Sequence, residues 1–289
     1  MTTDTKPPTE VFDVSSDTRQ PFDLSEELAA RVDEVGIQQY VDQMRDEGYT
    51  IIPNIASQEF TARLRETCIR MAQETEAPLK GTSAALLLGR DPIFEEVVLN
   101  PKIQALVEVM CGKGAMLSQL ITSVRPKGAR SLTLHADQGW MPAPFPKHNY
   151  LLTMCWTMEE FTRAGGCTKV IPKTHLNKRH PNKEEVEQEA GAIPTETSAS
   201  SIACWDGSVW HGNYPRELDG ERVVLHITFS RLAMRPVENY DHLDGKWLEG
   251  KPHQLSVMLG REDFLGSSTI ARGFADFTKL PRTFAWAKT

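Results

Sequence analysis

The spacing of apolar residues changes once along this chain, near Gly114, and that change limits the folds open to it. Before it the spacing is helical. Ile37, Tyr40, Val41 and Met44 recur at i, i+3, i+4 and i+7, which predicts an amphipathic helix ended by Gly48 and followed by a short strand over 49–53. Ser57 is placed to cap a second helix with Phe60, Leu64, Cys68 and Met71 on one side. Asn100-Pro101 opens a third, with Ile103, Leu106, Val107 and Met110 inward and Gly112 just past its end. These faces read as packing surface.

After Gly114, strand-like runs follow at 116–124, 131–137, 150–158, 168–171, 201–205, 208–211 and 222–230. With no helix between most of them, they predict an antiparallel sandwich or barrel, a mainly β fold with flanking helices. Asp206-Gly207 predicts a type I′ hairpin that returns His211 to the sheet, because both residue types tolerate positive φ. Residues 177–200 are polar, with a solvated helix expected near 183–189.

Residues 1–22, rich in Thr, Asp, Pro and Ser, are expected to be a mobile tail. A single domain is expected over 23–289. It divides into a helical part at about 25–113, a β core at about 115–232 and a covering segment over 233–289 in which a homodimer contact is left open.

The 289 residues are enough for one sizeable core. A net charge of -7 argues against nucleic-acid backbones and anionic membrane surfaces as main partners. No apolar run of about 18 residues offers a membrane span, and the first residues lack the apolar core of a secretory signal, so a cytoplasmic location is the expectation. The five cysteines are odd in number and contain no CxxC pair, which predicts reduced, buried thiols.

Chemistry is concentrated in three places. In the run ending Leu134-His135-Ala136-Asp137, alternation projects His135 and Asp137 to one face, about 7 Å apart, while Leu132, Leu134 and Ala136 take the other. One more histidine would complete a two-His-one-carboxylate triad, which leaves coordination positions open on Fe(II). Taken alone, such a pair more often marks a hydrogen-bonded surface or core histidine than a metal ligand. Of the eight histidines, His211 has the most informative setting, at the end of an apolar strand before Gly212. Arg222 opens the polar face of the last strand, shared with Val224, His226 and Thr228. It is placed either to grip a carboxylate bidentately or to pair on the surface with Glu221 or Asp219.

From about Tyr40 to about Leu232 the chain resembles the phytanoyl-CoA dioxygenase family of non-haem Fe(II)/2-oxoglutarate oxygenases. The matching pieces are Tyr40 with Glu47-Gly48-Tyr49, the Asn100-Pro101 helix, His135-x-Asp137, the segment 165–175 (GGCTKVIPKTH), and Trp210-His211-Gly212 followed by Arg222. The resemblance implies a double-stranded β-helix (jelly-roll, cupin-like) core. It also implies Fe(II) held by His135, Asp137 and His211, and 2-oxoglutarate gripped at its distal carboxylate by Arg222. Thr168 stands where some relatives use a Thr to hydrogen-bond the same cosubstrate. The reaction implied consumes O2 and 2-oxoglutarate, releases succinate and CO2, and attacks an unactivated C–H bond. Because Asp137 is retained where related halogenases carry a small residue, hydroxylation is the expected outcome, with desaturation and rearrangement using the same ligands.

Two positions depart from the family pattern. Relatives usually read Pro-Gly-Ser-His where this chain has Pro172-Lys173-Thr174-His175, and His226, which the pattern does not assign, reads either as a donor supporting the ligands or, more readily, as a hydrogen-bonded core histidine. The aromatic, proline-rich segment 138–146 fits either contact with an apolar small molecule or a packed cover. No basic cluster suits coenzyme A phosphates, so the expected substrate is a small, mainly apolar, natural-product-like or lipid-like molecule. Two alternatives remain: a cupin-like isomerase or hydrolase that uses the same histidines without 2-oxoglutarate, and a binding protein without turnover. Arg222 discriminates, because only the oxygenase needs a bidentate cation at that depth.

Overall fold

Residues 151–157 alternate Leu152, Met154 and Trp156 with Thr153, Cys155 and Thr157, and this alternation sets the two faces of the main sheet. In the computed structural model, which describes residues 20–263 and Leu265, the first set joins the large helix-covered core and the second faces the interior of a β-barrel. The tail expected at 1–22 falls, except for residues 20–22, outside the described residues, as does the end of the covering segment.

In chain order, α1 (Glu26–Glu34) and α2 (Gln38–Glu47) lead into β1 (Tyr49–Ile52), α3 (Gln58–Glu74), β2 (Ser83–Ala84), α4 (Pro92–Val98) and α5 (Pro101–Cys111). There follow β3 (Met116–Pro126), β4 (Leu132–His135), β5 (Leu151–Thr157), β6 (Thr168–Ile171), α6 (Lys183–Gln188), β7 (Ile193–Pro194), β8 (Ser201–Asp206), β9 (Trp210–Asn213) and β10 (Glu221–Ser230). Two short helices, α7 (Gly245–Leu248) and α8 (His253–Met258), come last.

The helix ends use the expected chemistry. Gly48 closes α2 at φ 80, the Ser57 hydroxyl accepts from Phe60 N, and Asn100 Oδ1 accepts from Lys102 N and Ile103 N at the start of α5. Two helices escape the periodicity reading because they are short. α1 buries only Leu28 and Val32, and the seven-residue α4 is set by the Asp91 cap and Pro92.

The strands form two antiparallel sheets, β1-β8-β5-β10-β3-β2 and β4-β9-β6-β7. Antiparallel pairing throughout agrees with the short connections and marks a double-stranded β-helix core. Helices pack on the outer face of the six-stranded sheet against Val223, Leu225, Ile227 and Phe229 of β10, so Arg222, Val224, His226 and Thr228 are left to the interior, as alternation requires. Full burial of each such side chain is worth roughly 1.5–3 kcal/mol. The four-stranded sheet has its own outer cluster of Leu134, Ala136, Phe145 and Trp210, whereas Leu132 is 47% exposed.

The hairpin expected at Asp206-Gly207 is not formed. β8 pairs with β1 and β5 in one sheet, β9 with β4 and β6 in the other, and the turn between them carries the chain across the barrel. Val209 N donates to Asp206 O at 2.9 Å, and Ser208 N to Asp206 Oδ1 at 2.7 Å. Gly207 is required for space: a β-carbon there would lie 2.8 Å from the Leu151 carbonyl oxygen. The five cysteines are all buried and free. Among the described residues, no helix is long and apolar enough to cross a membrane.

Candidate metal centre

β4 and β9 run antiparallel with His135 directly opposite His211, their ring centroids 4.3 Å apart. Each imidazole is oriented by its own strand: His135 Nδ1 lies 2.9 Å from Thr133 O, and His211 Nδ1 lies 3.0 Å from Val209 O. With Nδ1–H donating to those carbonyls, each Nε2 faces the interior, as a donor toward Asp137 when the ring is protonated and as an open lone pair when it is neutral. Asp137 lies two residues past the end of β4, and its Oδ1 is 3.4 Å from His211 Nε2 and 3.7 Å from His135 Nε2. The candidate ligand atoms of the three residues lie within 4.8 Å of one another, which is a spacing that can hold a metal ion.

The other carboxylate oxygen is engaged elsewhere. Asp137 Oδ2 accepts from Thr153 Oγ1 at 2.6 Å and from Trp205 Nε1 at 2.9 Å. Burial alone would raise the Asp137 carboxyl, but the adjacent His211 charge and the hydrogen bonds from His211 and Thr153 outweigh it, holding the group well below the usual carboxylate range. For His211, burial pulls the pKa down and Asp137 pulls harder the other way, so the net direction is up. His135 is lowered by burial and by the neighbouring His211.

On the inner face of β10, Arg222 is only 5% exposed. One terminal nitrogen donates to Gly166 O, the guanidinium lies 5.7 Å from the Phe161 ring, and Nε has no hydrogen-bond partner. The surface pairing with Asp219 or Glu221 does not form: Asp219 pairs with Lys127 at 2.9 Å, and no carboxylate is in ion-pair contact with Arg222 among the described residues. Burial pushes the Arg222 pKa down, yet a guanidinium remains charged in protein. Thr168, 1% exposed on β6, also has a buried hydroxyl with no partner.

His226 and Cys155 lie on the interior faces of β10 and β5. Cys155 Sγ lies 3.2 Å from His226 Nδ1, the two residues being register partners on β5 and β10. Burial, then the Arg222 charge, pushes His226 down to about 4, so it is neutral near pH 7; burial also pushes the Cys155 thiol up to about 12. His175 is not brought to this interior. It packs against Gly48, where a β-carbon would lie 2.4 Å from its Nδ1, and its Nε2 is 3.3 Å from Arg45 O. Lys173, in the segment that departs from the expected Pro-Gly-Ser-His pattern, takes the left-handed conformation (φ 67).

The segment 138–146 is mixed. Phe145 is buried in the outer cluster of the small sheet, whereas Trp140 is 58% exposed. Sequence reasoning gave no role to Thr153 or Trp205. Thr153 was readable from its place on the polar face of β5, but Trp205 resembled any apolar strand residue.

Comparison with known proteins fits this geometry. The profile of the family described as Phytanoyl-CoA dioxygenase (PhyH) matches residues 41–222. Uncharacterized protein Rv1501 of Mycobacterium tuberculosis is 21% identical over 217 residues, covering 69% of this chain and 79% of its own. Among solved structures, EctD of S. alaskensis in its apoform has a TM-score of 0.58 at 15% identity, covering 76% of this chain and 82% of its own. HygX of Streptomyces hygroscopicus with nickel and 2-oxoglutarate bound has a TM-score of 0.59 at 13% identity, covering 74% and 94%. The non-heme alpha ketoglutarate dependent epimerase SnoN from nogalamycin biosynthesis has a TM-score of 0.59 at 15% identity, covering 73% and 88%. At these identities the structural likeness establishes the shared fold.

Proposed function

The chain belongs to the phytanoyl-CoA dioxygenase family, and from that premise we propose that it is an Fe(II)- and 2-oxoglutarate-dependent dioxygenase that hydroxylates an unactivated C–H bond of a small, mainly apolar molecule. His135 Nε2, His211 Nε2 and Asp137 Oδ1 are the proposed iron ligands. Arg222 is the proposed anchor of the distal 2-oxoglutarate carboxylate, and the Thr168 hydroxyl is a further contact to it.

The observation that carries the reading is the state of Arg222. A guanidinium this buried, with no carboxylate partner and an unpartnered Nε, bears a desolvation cost that an anionic ligand offsets. The unpartnered Thr168 hydroxyl fits the same anion. Arg222, His226 and Thr228 share one face of β10, Thr228 is the register partner of Thr153, and Thr153 donates to Asp137, which supports a common interior for anchor and triad. A cupin-like isomerase or hydrolase without 2-oxoglutarate leaves that cation unexplained.

Bound iron and 2-oxoglutarate together supply the oxidant, drawing on O2 and releasing succinate and CO2. The protein's part is placement. The two strand carbonyls fix the imidazole tautomers, the ionised Asp137 offers one oxygen, and Arg222 would hold the distal carboxylate of the cosubstrate. Val170, Trp205 and Val209 form an apolar cluster with Cys155 in the barrel wall. Hydroxylation is favoured because Asp137 occupies the third ligand position. The apolar substrate reading rests on Trp140, exposed on the segment that follows the triad's first pair.

The test is an anaerobic titration of Fe(II)-loaded protein with 2-oxoglutarate, followed by the weak visible charge-transfer band of the chelate. The band is expected in the parent protein, lost in Asp137→Ala, and displaced to much higher 2-oxoglutarate concentration in Arg222→Ala. Iron bound at one per chain without any band would defeat the reading.

A further inference from the structure

Three residues stand side by side across the inner face of the large sheet. Thr228 on β10 is the register partner of Thr153 on β5, and Thr153 is the register partner of Trp205 on β8. Two of these side chains converge on a single atom: Thr153 Oγ1 and Trp205 Nε1 both donate to Asp137 Oδ2, while Thr228 Oγ1 lies 3.4 Å behind Thr153 Oγ1. Thr153 and Trp205 are buried at 6% and 2% exposure, so water does not readily replace either donor. The indole can only donate, and Asp137 Oδ2 is the acceptor it has found. Hydrogen bonds to an ionised carboxylate are among the strong ones in proteins, and two on one oxygen hold the group against rotation.

Resting on the metal-centre reading above, we propose that Trp205 and Thr153 are positioning residues that keep Asp137 a one-oxygen ligand. With Oδ2 occupied, only Oδ1, the atom 3.4 Å and 3.7 Å from the two imidazole Nε2 atoms, is presented to the metal. Carboxylates readily bind metals through both oxygens when both are free. A second bond from Asp137 would consume one of the positions that a two-His-one-carboxylate site leaves open. The cradle therefore sets the number of open positions, a property that the three ligands by themselves do not fix. The Trp205 ring also lies 4.7 Å from the His211 ring, so one side chain bears on two ligands.

The experiment loads the full-length protein with Mn(II) and measures water-proton relaxivity, which counts exchangeable waters on the metal, alongside Mn(II) stoichiometry and thermal unfolding. Parent protein and Thr153→Ser, which keeps the hydroxyl, are expected to show the same water count. Thr153→Val, Trp205→Phe and above all the double variant are expected to bind one Mn(II) per chain with relaxivity lowered by up to a third, as one of three waters is displaced. Unchanged relaxivity in the variants with one Mn(II) bound would overturn the proposal. Because Trp205 also packs in the barrel wall, Thr153→Val supplies the deciding comparison if Trp205→Phe fails to fold. A parent protein that binds no Mn(II) sensitive to His135→Ala would instead defeat the metal-centre reading itself.

Discussion

Gly212 lies against the backbone of Leu132, so closely that a β-carbon at 212 would come within 2.4 Å of the Leu132 carbonyl oxygen and 3.2 Å of Thr133 C. Its φ is not in the left-handed region, so the requirement is for space. This close approach lets β4 and β9 pair with His135 opposite His211. Gly212→Ala should push the strands apart at the point that sets the separation of the two imidazoles. Overpacking of this kind costs roughly 1–3 kcal/mol. We expect metal affinity to fall by about tenfold or more, equivalent to about 1.4 kcal/mol, measured by Co(II) or Mn(II) titration. Unaltered affinity would mean that the histidine pair tolerates a shift of β4.

Which parts of this site the sequence made legible follows from the physics of each part. Period-two alternation identifies His135 and the inner face of β10 because a strand has only two faces. Helix caps at Ser57 and Asn100 are legible because their chemistry is local. The crossing of the chain at Asp206-Gly207 is not, since a tight turn has the same sequence whether its flanking strands pair with each other or with strands of opposite sheets. Trp205 is illegible for a related reason: nothing within its own strand shows that Asp137, 68 positions earlier, supplies an acceptor for the indole. The triad itself needed family resemblance, because His211 joins it only through long-range pairing.

The segment 138–146 should behave as two functionally different halves. Phe145 is buried at 4% exposure, lies edge-on to His180 at 4.6 Å between centroids, and donates its backbone N–H to Lys178 O at 2.7 Å. Phe145→Ala should cost about 3–5 kcal/mol and open this segment to limited proteolysis. Trp140, at 58% exposure, has little packing to lose. Trp140→Ala should stay within about 0.5 kcal/mol of the parent in urea denaturation. Equal losses from the two substitutions would show that Trp140 is packed in solution.

Lys173 offers a stabilising change. It holds φ 67, and its ammonium lies 3.3 Å from Glu47 Oε1, but the lysine side chain is 64% exposed and such a pair is worth little. A non-glycine residue in this region costs about 1–2 kcal/mol, partly offset by the roughly 0.5–1 kcal/mol that glycine adds to the freedom of the unfolded chain. Lys173→Gly should therefore raise the melting temperature by about 1–3 °C. Lys173→Ala, which keeps a β-carbon, should not. Calorimetry on the pair separates backbone strain from loss of the ion pair.

The pH dependence of stability should carry a signature of Glu238. This carboxyl, 9% exposed, ties the segment after β10 to the rest of the protein: Oε1 accepts from Leu86 N at 2.8 Å, and Oε2 accepts from Leu120 N at 2.8 Å and Tyr240 OH at 2.6 Å. Burial raises its pKa, the three hydrogen bonds lower it, and the net direction is up. A group whose folded pKa lies above its unfolded value binds its proton more tightly when folded. Its contribution is complete below the ordinary glutamate range and is lost as pH rises through the raised folded value. Glu238→Gln removes that titration and turns an amide NH2 toward donors, leaving at least one buried donor unmatched, at a cost of about 1–3 kcal/mol. The stability difference between parent and Glu238→Gln, from urea denaturation at a series of pH values, should shrink as pH rises across the window just above the ordinary carboxylate range. A difference that grows with pH would mean that the three donors outweigh burial and that the carboxylate is held as a favoured buried anion.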